Sequence, residues 1–149
     1  MAKEKHLEMT HHVCFPTDIY EIPDVLNRDD MKSMLVLING WWEDRGYDDN
    51  WQTNPDLHTL PEFEKLTEFI LNLNKDLIKR KGYDVEDIKI SDMWANVLRP
   101  GETHPIHTHS NNLLSGVYYL YSNQKSGIVF MDPVLSRDVI TPKKIRHDS

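Results

Sequence analysis

Residues 94–133 read WANVLRPGETHPIHTHSNNLLSGVYYLYSNQKSGIVFMDP, and this stretch decides the fold that we expect. It begins with a mostly apolar segment, turns at residues 99–101, carries His107 and His109, and continues into an aromatic run at residues 113–121. Side chains two residues apart on a strand point to the same face of a sheet. Imidazole is a common ligand of zinc, copper, iron and nickel. The pair therefore predicts a metal site, and the alternative is a pair of solvated loop histidines.

The composition indicates a soluble globular protein. The 149 residues, 39% hydrophobic and 28% charged, are enough for one domain. We expect residues 1–12 to form a flexible tail and residues 13–149 to form a single domain. The net charge of −7 argues against nucleic acid as a partner. No apolar run is long enough for a membrane span, and the lone Cys14 favours a reducing compartment, so a cytoplasmic location is expected.

The first predicted helix begins after Asn27, a typical N-cap residue, and ends near Gly40. Its apolar residues recur at helical spacing and predict ordinary core packing. Residues 40–58 are rich in tryptophan among Asp, Asn and Gly, which predicts a loop. Such an aromatic loop either packs against the body of the protein or covers a pocket, and we favour packing.

The second predicted helix spans residues 60–81. Thr59 and Glu62 have the spacing of a capping box, Pro61 suits the first turn, and Gly82 is a typical stop. Its apolar face carries five residues at intervals of three and four and is expected to cover a sheet: Phe63, Leu66, Ile70, Leu73 and Leu77.

Alternating or apolar patterns then predict strands at residues 88–91, 93–98, 113–121 and 127–131. Near the start of the chain, residues 13–22 are expected to be extended, with Ile19 and Ile22 buried. Helices followed by successive short strands define an α+β fold, with the histidine pair entering the sheet.

The combination of His107-x-His109, Ser115-Gly-Val-Tyr-Tyr and a later Gly-led strand ending in Asp-Pro resembles the iron(II)- and 2-oxoglutarate-dependent oxygenases. It is similar to a His-x-His subgroup found in marine bacteria and their phages. The resemblance covers roughly residues 13–133. It implies a double-stranded β-helix, a jelly-roll or cupin-like fold, with N-terminal buttressing helices. It also implies a dioxygenase that couples decarboxylation of 2-oxoglutarate to C–H oxidation of a substrate.

The resemblance also assigns roles to residues. His107 and His109 match the first two iron ligands, and Tyr119 matches the residue that donates its hydroxyl to the far carboxylate of 2-oxoglutarate. Asn96 and Ser115 are further candidates for the cofactor pocket. A site with three protein ligands leaves three positions for 2-oxoglutarate and O2.

Two departures from the family pattern follow. The second ligand is a histidine where most of the superfamily has a carboxylate. A distal histidine followed by Arg or Lys is also missing, because only His147 follows Pro133 and it lies in a charged terminus without strand character. A jelly roll needs about eight strands. We therefore expect the jelly roll to be incomplete at its C-terminus, as in the N-terminal portion of a longer oxygenase or a naturally shortened relative.

Two other functions remain open. Gly101 to His109 fits the first half of a cupin motif, but Leu113 and Leu114 stand where the next cupin ligand, a Glu, belongs. A shortened, non-catalytic jelly-roll domain that binds a ligand is the other alternative. The substrate is expected to be a small molecule or a protein side chain, and neither nucleic acid nor a membrane is expected as a partner.

Overall fold

Two helices and one pair of short strands make up the regular structure of residues 17–122 and 127–131, the residues that the computed structural model describes. Contacts divide these residues into two units, of which the first ends at Ser115 and the second begins at Gly116. The elements of the first unit are α1 (Arg28–Asp44), β1 (Trp51–Gln52), two 3-10 turns (Leu57–Thr59 and Pro61–Phe63), α2 (Glu64–Arg80) and β2 (Asn96–Val97).

The start of α1 is confirmed. The Asn27 side-chain oxygen accepts hydrogen bonds from the backbone N–H groups of Asp29 at 3.0 Å and Asp30 at 2.9 Å. These two donors have no partner within the helix, so the cap satisfies them, and the two carboxylates lie at the positive end of the helix dipole.

The predicted end of α1 at Gly40 is wrong, because the helix continues through both tryptophans of the supposed loop to Asp44. Gly40 keeps helical backbone angles, whereas Gly46 has a φ of +72°. The Gly46 N–H donates to Glu43 O at 2.9 Å and the Tyr47 N–H donates to Trp42 O at 3.0 Å. These two bonds form a Schellman motif, which ends a helix at a residue with positive φ.

α2 begins later than predicted and ends as predicted. Residues 57–63 form the two 3-10 turns, and the Thr59 hydroxyl donates to Asp56 O at 2.8 Å instead of capping the helix, so the capping box is wrong. At the other end Gly82 has a φ of +79°, and a second Schellman motif joins Tyr83 N–H to Ile78 O at 3.2 Å. Both helices therefore stop at glycines with a left-handed backbone.

β1 and β2 pair antiparallel, with Trp51 opposite Val97 and Gln52 opposite Asn96. β1 lies inside the predicted aromatic loop, and its Trp51 is buried, which confirms packing for this side chain. Among the described residues, the largest fully buried side chains are Met34 of α1 and Leu57 of the first 3-10 turn. Both helices contact the 3-10 turns, so within the described residues α2 packs against these turns.

Several segments that were predicted to be strands are not paired with another strand in the described part of the chain. Residues 88–91, 113–121 and 127–131 form no ladder within the described part of the chain, and only Met93 and residues 96–97 of the segment 93–98 pair. A strand needs backbone hydrogen bonds to a neighbour, which apolar alternation does not itself supply. Ile19 and Ile22 were expected to be buried, but they are 58% and 41% exposed.

The second unit is described at residues 116–122 and 127–131. Its residues 117–121 alternate, with Tyr118 and Leu120 half-buried and their odd-numbered neighbours exposed. The double-stranded β-helix and the single domain stay predictions. The predicted tail at residues 1–12 and Cys14 lie outside the described residues. None of the helices described is long and apolar enough to cross a membrane.

Candidate metal centre

The histidine segment is held at both of its ends. Residues 99–102 form the predicted turn, in which the Glu102 N–H donates to Arg99 O at 3.0 Å and the Arg99 N–H donates to the Glu102 carboxylate at 2.7 Å. Beyond the histidines, the Ser91 hydroxyl donates to the Asn112 side-chain oxygen at 3.1 Å. Residues 102–109 between these anchors form no strand, so the histidine pair does not enter a sheet in the described part of the chain.

His107 and His109 nevertheless converge. Their Nε2 atoms lie 3.0 Å apart, and their ring planes meet at 60°. Two imidazole nitrogens bound at right angles to one metal, each about 2.1 Å from it, lie about 3.0 Å from each other. The separation therefore fits two neighbouring ligands of one ion, and both side chains are exposed enough to be reached from solvent.

The His107 ring is fixed by the backbone. Its Nδ1 lies 2.8 Å from Pro105 O, and a carbonyl oxygen only accepts hydrogen bonds, so the Nδ1–H donates. In the neutral ring the lone pair is then on Nε2, the atom that faces His109. Metal-binding histidines commonly donate their other ring N–H in this way, because the bond fixes both the tautomer and the ring plane.

Two further aromatic rings contact the histidine pair. Trp94 stacks on His109 with ring centroids 5.6 Å apart and planes 18° apart, and His104 meets His107 edge to face at 4.6 Å. Neither Trp94 nor His104 is among the candidate residues that the sequence indicated. Three histidines within six residues was the signal that was available for His104.

Three of the four other candidate residues lie in the part of the chain that the structure describes. Asn96 is an exposed residue of β2, and Ser115 is exposed at the end of the first unit. Tyr119, 46% exposed, belongs to the second unit. His147 lies outside the described residues. The roles assigned to Asn96, Ser115 and Tyr119 stay predictions.

Within residues 17–122 and 127–131, no group of three His, Cys, Asp or Glu side chains is placed to hold a metal ion. His104 therefore does not complete a three-ligand set with its two neighbours. The described part of the chain therefore offers two imidazoles, His107 and His109, as candidate ligands.

Tyr118, which precedes the candidate cofactor residue Tyr119 in the sequence, has a raised pKa. Burial raises the pKa of the Tyr118 phenol, because removing water disfavours the phenolate. Tyr118 therefore keeps its proton, and its ability to donate a hydrogen bond, to higher pH than a tyrosine in water.

A family model described as "Putative 2OG-Fe(II) oxygenase" matches residues 92–148. No curated protein and no solved structure matches the chain. The matched stretch is less than half of the chain, and it contains Trp94, His107 and His109. The match supports the 2-oxoglutarate/Fe(II) oxygenase superfamily for this part of the chain, and with it Fe(II) and 2-oxoglutarate as the groups that such a family uses.

Proposed function

We propose that this protein is an Fe(II)- and 2-oxoglutarate-dependent dioxygenase that hydroxylates its substrate from within a double-stranded β-helix. The observation that carries the proposal is the 3.0 Å separation of the two Nε2 atoms, with the His107 tautomer already set for binding through Nε2. The family match over residues 92–148 supports the same chemistry.

In this proposal His107 and His109 hold the metal through Nε2. When bound, Fe(II) supplies the open positions and the redox chemistry that couple decarboxylation of 2-oxoglutarate to C–H oxidation. The Pro105 carbonyl keeps the His107 proton on Nδ1, so this ring needs no change of tautomer to become a ligand. Because His107 Nε2 accepts, His109 Nε2 carries the shared proton in the metal-free protein, and this neutral ring would have to move that proton to its Nδ1 to bind an ion through Nε2.

The remaining roles follow the family pattern. Tyr119 would donate its hydroxyl to the far carboxylate of 2-oxoglutarate, and Asn96 and Ser115 remain candidates for binding the co-substrate. As neutral imidazoles, His107 and His109 would add no negative charge to the ion that they hold. The substrate is a small molecule or a protein side chain, and the lone cysteine favours the cytoplasm as its location.

The test is a titration of the anaerobic protein with Fe(II), followed by 2-oxoglutarate. We expect uptake of one Fe(II) per chain and a weak visible band when 2-oxoglutarate binds the ion, and succinate should form after O2 is admitted. Iron uptake without the band or succinate would instead favour a cupin-type metal protein. No iron uptake would favour the non-catalytic binding domain.

Three histidines of one segment provide matched variants. His107→Ala and His109→Ala should each weaken Fe(II) binding by at least tenfold, because each removes one of two ligands. His104→Asn should change it by less than threefold, because His104 completes no ligand set. Equal losses in all three variants would contradict the assignment of His107 and His109 as the ligand pair.

A further inference from the structure

We propose that Trp94 is a positioning residue for His109 and holds its imidazole in the orientation that metal binding requires. The inference rests on the proposed function, since it takes His109 as a ligand. The indole is stacked on the imidazole, with ring centroids 5.6 Å apart and planes 18° apart. The Nε2 of the same ring lies 3.0 Å from His107 Nε2.

The two histidines are held by different means. His107 is fixed through its Nδ1–H and the Pro105 carbonyl. His109 makes no hydrogen bond to any described residue except the one to His107, and it is exposed on a segment without regular structure. Rotation of its ring is therefore restricted by the contact with His107 and by the stack on Trp94. Binding by a freely rotating side chain is weakened by the entropy lost when the metal fixes it.

Trp94 is itself held rigidly, because both of its chain neighbours are anchored by backbone hydrogen bonds. The Met93 N–H donates to Pro55 O, and Met93 O accepts from the Leu57 N–H, both at 3.0 Å. Ala95 O accepts from the Thr53 N–H at 3.0 Å. Leu57 and Thr53 are buried at 1% and 7% exposure. The indole thus connects the packed core of the first unit to the exposed His109.

The first experiment measures Co²⁺ binding by calorimetry, because Co²⁺ accepts imidazole ligands and is stable in air. Trp94→Leu removes the flat ring and should weaken Co²⁺ binding about tenfold, the lower end for losing a residue that orients a ligand. Trp94→Phe keeps a flat ring and should restore most of the affinity. Trp42→Leu is the matched control, because that indole contacts Tyr47 and Arg99 and neither histidine.

A double-mutant cycle separates positioning from general stability. In the His109→Ala background Trp94→Leu should weaken Co²⁺ binding no further, whereas in the His107→Ala background it should still do so. A merely structural role of Trp94 would lower the affinity in both backgrounds. In the metal-free protein, the indole ring current should also shift the His109 ring protons upfield in the NMR spectrum, and Trp94→Leu should remove this shift.

The outcomes distinguish the two proposals. Wild-type protein that does not bind Co²⁺ would overturn the metal site and the positioning role together. Wild-type binding that Trp94→Leu leaves unchanged would overturn the positioning role alone. The role would be established by three results together. Trp94→Leu lowers the affinity for Co²⁺, Trp94→Phe keeps most of it, and Trp94→Leu has no effect in the His109→Ala background.

Discussion

Thr53 and Ala95 exchange two hydrogen bonds, one from the Thr53 N–H to Ala95 O and one from the Ala95 N–H to Thr53 Oγ1, each at 3.0 Å. The same hydroxyl donates to Asn54 O at 3.0 Å, and Thr53 is buried. One side chain thus continues the β1–β2 pairing beyond the last strand residue and fixes the backbone next to Trp94.

Thr53→Val keeps the shape of this side chain but removes its hydroxyl. The Ala95 N–H and Asn54 O, which are only partly buried, then each lose a partner, and each lost hydrogen bond costs about 1 kcal/mol. We expect the free energy of unfolding, measured in urea, to fall by about 2 kcal/mol. Thr53→Ser keeps the hydroxyl and should lose less than half as much, and equal losses would show that the missing hydrogen bonds are not the cause.

Arg99 joins the turn before the histidines to the chain after α1. Its guanidinium pairs with the Asp49 carboxylate, donates to Tyr47 O and lies 5.8 Å from the centre of the Trp42 ring. Because the pair is exposed, we expect Arg99→Ala to lower the free energy of unfolding by only about 1 kcal/mol.

The contribution of the ion pair can be separated by salt. Part of the loss in Arg99→Ala should disappear in 1 M NaCl, because the Debye length there is about 3 Å. Asp49→Asn removes the charge of the partner while keeping its shape, and should show the same dependence on salt. A loss in both variants that does not change with salt would contradict a role for the charge pair.

Gly40 and Gly82 should respond in opposite directions to the same substitution. Gly40 lies within α1 with open space around its Cα, so Gly40→Ala should raise the free energy of unfolding by about 0.5–1 kcal/mol. Gly82 has a φ of +79°, which alanine adopts only with strain, so Gly82→Ala should lower it by about 1 kcal/mol. Thermal unfolding of both variants checks this, and stabilisation by Gly82→Ala would contradict the Schellman stop.

These glycines also show what local sequence can predict. Asn27 and Gly82 were identified correctly because a cap depends on residues only a few positions away. Gly40 and Gly46 look alike in sequence, and the choice between them depends on the backbone angle that the rest of the helix allows. Ile19 was expected to be buried because it is apolar, but burial depends on what packs against the residue.

In the candidate site, too, local contacts could be predicted from the sequence and contacts between distant residues could not. The spacing of His107 and His109 predicted that their rings lie close together. They do so although the segment that carries them is not the strand that was expected. The stack of Trp94 on His109 joins residues fifteen positions apart, and the β1–β2 pairing joins residues still further apart. Such contacts follow from chain packing, which periodicity in a single segment does not contain.

The raised pKa of Tyr118 predicts a loss of stability in alkali. Burial of the phenol raises its folded-state pKa above the unfolded value of about 10, so the folded state holds the proton more tightly. This contribution is fully present below about pH 10 and is lost as the pH rises through the folded pKa. The free energy of unfolding of the wild-type protein should therefore fall more steeply above pH 10 than that of Tyr118→Phe.

The titration itself can be followed by NMR of protein labelled at the tyrosine ring carbon that carries the hydroxyl, with Tyr118→Phe assigning the signal. In the folded protein its midpoint should lie above the ordinary value, and in urea it should return to about 10, because unfolding restores water around the phenol. The same midpoint in both states would show that burial does not hold the proton on Tyr118, and would remove the basis for the alkaline loss of stability.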